Sequence, residues 1–159
     1  MVAKDHQQPD NYAGGELLSC TLPKIEAIHI KWSGIKSLLK AADCRHLRHL
    51  YVGSSTQVES IKPLSRMTNL LNLRLESLKR IIDGSMWTIQ RIRDLKFVKP
   101  LKKLRFLTLI NTRLIEKSFD PILNLMNLER FETSWNYPES EFAKLKSLPD
   151  LRYDNVENI

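Results

Sequence analysis

The chain has 159 residues, 42% of them apolar and 27% charged, with a net charge of +7. That length suits one folded unit with a substantial core, and no stretch approaches the roughly 18 to 20 apolar residues that a membrane helix requires. Only five glycines are present, so a glycine-rich loop that could cradle a phosphate is excluded.

In chain order, residues 1–16 are polar, with Gln7, Gln8, Pro9, Asp10 and Asn11 ahead of Gly14-Gly15. They read as a loosely attached leader, and 17–159 reads as a single domain. The opening Met1 to His6 lacks the apolar core of a signal peptide, so a cytoplasmic location is expected. Cys20 and Cys44 are expected as reduced, buried cysteines rather than a disulfide framework. From Ile25 onward a phrase of the form L-x-x-L-x-L occupies 25–30, 47–52, 70–75, 104–109 and 128–133. Its usual interval is about 22 to 24 residues, the signature of a repeat solenoid. A last, atypical copy starts at Leu151, with Asp154 where the second leucine belongs. The apolar pattern is expected to stop there, with Tyr153, Val156 and Ile159 closing the end.

Ahead of each phrase, apolar residues recur every third position. Leu38, Ala41 and Cys44 precede Leu47; Ile61, Leu64 and Met67 precede Leu70; Leu95, Val98 and Leu101 precede Leu104. Phe119, Ile122 and Leu125 precede Leu128, and Phe142, Leu145 and Leu148 precede Leu151. A spacing of three predicts a short helix or 3₁₀ turns. The alternation inside the phrase predicts a short strand with one buried side. Each repeat is then strand, turn and helical return. About eleven extra residues before Leu104 place an insertion at about 79–91. Two readings stay open there: an extended return, or a short extra repeat using Ile92, Leu95 and Phe97 as its strand.

This pattern resembles the leucine-rich repeat family over roughly residues 22–159. Pro63-Leu64, Pro100-Leu101 and Pro121-Ile122 look like the helical starts of its shorter, bacterial and cytosolic class, although Pro100 sits one step later in register. The resemblance implies an α/β solenoid: a horseshoe fragment with a parallel sheet on the concave side and helical or 3₁₀ returns on the convex side. It also implies a non-catalytic protein-interaction module. The family's usual turn asparagine is replaced by Ser33, Ser55, Leu78 and Thr112 and kept at Asn136. Serine and threonine bond a turn more weakly, and leucine not at all.

Stacked repeats sort the outward residues into columns. One reads His29, Tyr51, Arg74, Thr108, Glu132, and its neighbour reads Ala27, His49, Asn72, Phe106, Arg130. Aromatic and arginine side chains carry most binding energy at interfaces, so Trp32, Tyr51, Arg74, Phe106, Arg130 and Trp135 are the expected contacts to another protein. A basic run, Arg91, Arg93, Lys96, Lys99, Lys102, Lys103 and Arg105, shares its segment with apolar residues at spacing three and is expected on the convex side. It leaves weak electrostatic binding of nucleic acid or an acidic surface as an alternative, with nucleic acid disfavoured because stacking residues lie elsewhere. A second alternative is a structural or regulatory subunit, since no cap is evident before Leu22 and that edge could self-associate or dock. No residue pattern supports catalysis, a metal site, a cofactor or a small-molecule substrate.

Overall fold

The computed structural model describes residues 24–31, 34–53, 58, 60–76 and 90–155. Among the described residues six parallel strands form one sheet in the order β1 (Ala27–Lys31), β2 (His49–Gly53), β3 (Asn72–Glu76), β5 (Phe106–Ile110), β7 (Arg130–Thr133) and β8 (Arg152–Asn155). The returns are short: α1 (Leu39–Ala42), α2 (Glu139–Leu145), and 3₁₀ turns at Lys62–Arg66, Lys96–Val98 and Ile122–Asn124. Each strand straddles the second and third apolar positions of its phrase. A parallel sheet on one side with helical returns on the other is the expected solenoid.

Burial follows the phrase. Leu47, Leu50 and Val52, Leu70, Leu73 and Leu75, and Leu104, Leu107 and Leu109 are all buried, as are the spacing-three residues Leu38, Ala41, Leu64, Leu95, Val98, Leu101, Phe119, Ile122 and Leu125. Burying one such side chain stabilises by about 1.5–3 kcal/mol. In the first repeat Ile25 and Ile28 are only partly buried against this core.

A polar device repeats with equal regularity. Ser37, Ser60, Asp94 and Ser118 stand at the same distance ahead of their phrases. Each side-chain oxygen accepts the backbone N–H two residues on, from Leu39, Lys62, Lys96 and Asp120 respectively, at 2.7 to 3.2 Å. These turns satisfy an otherwise orphaned donor and start each return. Pro63 lies in the first turn of its 3₁₀ segment and Pro121 just ahead of one. Pro100 instead follows Lys96–Val98, in the turn that leaves it.

Three expectations are corrected. The insertion leads into β4 (Gln90–Ile92), which pairs with β6 (Thr112–Leu114) in a separate two-stranded parallel sheet. Ile92 is therefore in a strand, but Leu95 caps and Phe97 lies within a 3₁₀ turn, so these three do not form an extra repeat strand. Most of the insertion lies outside the described residues. The last repeat does not stop the sheet. Tyr153 pairs with Phe131 and Asp154 with Glu132, because the repeat is one residue shorter than the leucine spacing implies and Tyr153 takes the second apolar place. Finally, Cys44 is disulfide-bonded rather than a free thiol; it is half-buried at the turn leaving α1 and so is reachable. The other cysteine, Cys20, lies outside the described residues.

Candidate functional site

The register of β1, β2 and β3 aligns His29 with Tyr51 and Arg74, and Lys31 with Gly53 and Glu76. Alternation along a strand turns these residues away from the leucine core. The Tyr51 hydroxyl donates to Glu76 Oε2 at 2.6 Å, and Arg74 donates to the same oxygen at 3.1 Å. The Arg74 guanidinium carbon lies 5.3 Å from the Tyr51 ring centre, and the His29 ring meets that ring edge-on at 4.1 Å. Gly53 makes this possible: a Cβ there would overlap the Tyr51 hydroxyl and ring. Without a side chain at 53, the tyrosine leans across its own strand to reach β3.

The titration of the cluster follows from these contacts. Burial, then the Glu76 bond, pushes the Tyr51 phenol from 10.0 up to about 12. Burial works to raise the Glu76 carboxyl, but the Tyr51 and Arg74 bonds outweigh it and hold the group below its usual value. Burial, with Lys31 and Arg74 nearby, lowers His29. An ionised glutamate, a neutral histidine and a neutral tyrosine therefore share one small surface.

A second arrangement occupies β5 and β7. Thr108 Oγ1 donates to Glu132 Oε2 at 2.9 Å, and Arg130 pairs with Glu132 Oε1 at 2.7 Å. Beside it Arg105 forks onto both Glu129 oxygens, at 2.5 and 2.9 Å, with its guanidinium 5.5 Å from the Phe106 ring centre. Glu76 and Glu132 are thus each engaged by a hydroxyl and a guanidinium. Such a surface can bind directionally. Among the described residues no group of three or more His, Cys, Asp or Glu could hold a metal.

The same fold is found in three solved structures. An internalin of Listeria monocytogenes is 22% identical with a TM-score of 0.55, covering 75% of this chain and 31% of that one. Internalin C2 of the same organism is 18% identical with a TM-score of 0.59, covering 81% of this chain and 51% of its own length. A Leptospira interrogans leucine-rich repeat protein is 24% identical with a TM-score of 0.54, covering 73% of this chain and 27% of that one. The fold is a leucine-rich repeat solenoid. The chain spans between about a quarter and a half of the length of these proteins. No protein-family model matches it, and no curated protein matches its sequence.

Within the leucine-rich repeat frame, the strand register reproduces the expected columns residue by residue. Tyr51 and Phe106 are half-buried on the strand face, and Arg74 and Arg130 are exposed there. Trp32 lies outside the described residues. Trp135 is elsewhere: it follows the end of β7, packs partly against the core, and carries Arg113 of β6 at 5.5 Å from its ring centre. It belongs to the rim where the strand face turns toward the second sheet.

The basic run does not form one convex stripe. Arg91 is in β4, outside the main sheet. Lys96 pairs with Asp94 and Glu116, and exposed Arg93 and Lys99 flank that return. On the turn before β5, Lys102 reaches the Asn124 carbonyl and Lys103 reaches Asn69, which sits on the turn before β3. Arg105 stands at the start of the strand face against Glu129. The apolar residues at spacing three are buried as expected, but the chain turns between the cations and distributes them over several surfaces.

Three contributors were missed by reasoning on residue type alone. Glu76 and Glu132 are the acceptors that order the site. Their signal was present: Arg74-x-Glu76 and Arg130-x-Glu132 place an arginine and a glutamate on one strand side at period two. Gly53 is the third, and its role depends on the lean of a neighbouring tyrosine, which no spacing encodes.

Proposed function

We propose that the chain is a non-catalytic module that docks another protein on the concave strand face, centred on Tyr51, Arg74 and Phe106 and extending to Arg130. The observation that carries this reading is the prearranged Tyr51–Arg74–Glu76 cluster. A half-buried phenol and a guanidinium held by a shared carboxylate lose little freedom on binding, which favours affinity. The leucine-rich repeat fold is consistent with such a use, while fold alone is a weak warrant for any function. Affinity capture from the native cell extract tests it. Partners recovered by the unaltered chain are expected to be lost with Tyr51→Ala and Arg74→Ala together; recovery of every partner by that variant would remove the strand face from the reading.

Docking through the first strand, the alternative, is supported only by β1 standing at the sheet edge among the described residues. Sedimentation across protein concentrations separates the two, because edge docking between copies predicts a mass that rises with concentration. For the compartment, the bonded state of Cys44 weighs against the cytoplasm expected above, since cytosolic thiols are kept reduced. Intact mass of native protein before and after reduction decides this. A gain of two hydrogens on reduction removes the cytoplasmic reading.

A further inference from the structure

Opposite the strand face, the first two returns leave an open groove of about 440 Å³ between α1 and the 3₁₀ turn Lys62–Arg66. Its apolar floor is Leu39 and Pro63, and its rim carries Lys36, Lys62 and Arg66. Leu39 is 51% exposed, whereas Leu38, which caps the same short helix, and Ala41 within it are fully buried. The helix therefore spends its core face on Leu38 and Ala41 and turns Leu39 toward the groove. The hydroxyls of Ser37 and Ser60, which also line it, are committed to the backbone N–H groups of Leu39 and Lys62. What remains on offer is an aliphatic floor ringed by positive charge.

The charges are available. Among the described residues Lys36 and Lys62 make no ion pair. Arg66 pairs with Asp43 at 2.8 Å, but both side chains are more than half exposed, so water and salt weaken that contact and a better placed carboxylate can replace it. A nucleic acid strand would match the charge, yet among the described residues no aromatic side chain lines the groove on which a base could stack, and a phosphodiester chain offers nothing aliphatic to Leu39 and Pro63. A polypeptide supplies both chemistries. Carboxylates meet the three cations while an aliphatic side chain between them covers the floor, and the volume suits a few side chains rather than a folded domain.

We propose that this convex groove docks an acidic polypeptide segment carrying an aliphatic side chain among its carboxylates. It uses none of the strand-face residues, so the two sites are independent. The test is fluorescence anisotropy on the full chain with a labelled peptide of alternating acidic residues and leucines. Saturable binding is expected. The double reversal Lys36→Glu with Lys62→Glu should weaken it by about tenfold, as charge reversal at a binding rim does. Leu39→Ser should weaken it by about threefold through lost apolar contact. Tyr51→Ala with Arg74→Ala should leave it unchanged, which keeps failure here distinct from failure of the strand-face reading. The proposal is overturned by absence of binding, by equal affinity after the double reversal, or by an unchanged affinity in Leu39→Ser. Equal competition by a single-stranded oligonucleotide of matched charge would overturn it too, by assigning the groove to polyanions in general.

Discussion

The two halves of the solenoid use aromatic residues in opposite ways. Around β1 to β3 the described core is aliphatic, and the rings of His29 and Tyr51 stand on the strand face. Around β7 and α2 the rings are inside. Phe119 is fully buried and meets Phe131, Tyr137 and Phe142 at ring-centre distances of 5.0, 4.9 and 5.2 Å, each edge-on. The same repeat phrase produces both outcomes, because Phe131 stands at a leucine position and Phe119 and Phe142 at spacing-three positions, whereas Tyr51 falls between leucines. Register, more than residue type, decides whether a ring is core or surface.

The sharpest way to break that comparison is Phe119→Ala. It removes the hub of four rings, and unfolding by denaturant should show a loss of about 3–5 kcal/mol. A loss no larger than that of Tyr51→Ala would mean that buried and surface rings contribute alike.

Tyr137→Phe comes next. Its hydroxyl accepts the Leu114 N–H at 3.0 Å and donates to the Thr112 carbonyl at 3.2 Å, so this side chain completes the free side of β6 as another strand would. Removing the oxygen leaves two buried backbone groups without that partner and should cost about 1–3 kcal/mol. Faster hydrogen exchange should appear at Leu114, and unchanged exchange there would show that the edge is satisfied some other way.

Tyr51→Phe should cost less, about 1 kcal/mol, because its hydrogen bond is partly solvated. Its clearer signature is in titration. The stability tied to the raised Tyr51 value is fully present below pH 10.0 and is lost as pH rises through about 12. Glu76 and His29 are both lowered. Their contributions are present above 4.5 and 6.5 respectively and fade as pH falls through the depressed folded values. Phenolate absorbance should therefore lose one late-titrating tyrosine in Tyr51→Phe, and an unchanged alkaline titration would break the assignment. Smallest of all, Arg105→Ala should leave the denaturation midpoint within error, because its pair with Glu129 is exposed. A measurable drop would mean that the strand-face ion pairs act as a network.

Much of the fold was legible. The phrase positions, the spacing-three positions and the columns were all readable because they are local periodicities that each repeat satisfies by itself. The ends were harder. Counting from Leu151 misplaced the last strand, since one missing residue ahead of it shifts the register; Arg130-Phe-Glu against Arg152-Tyr-Asp gives the correct pairing, and that likeness is carried by charge and aromaticity rather than by leucine. The capping column of Ser37, Ser60, Asp94 and Ser118 is not legible from residue type, because small polar residues are common and only their equal register gives them meaning.

The candidate site divides along the same line. Its columns were legible, but its contacts join residues far apart in sequence that stacking brings to about 4.8 Å between strands. At that spacing a side chain chooses among several neighbours. Tyr51 reaches Glu76 only because position 53 is glycine, and the basic run finds its acids on other repeats at Glu116 and Glu129. Periodicity along the chain is enough to say which residues face in and which face out. Which outward residue holds which depends on the distances between stacked strands, and those exist only once the repeats have assembled.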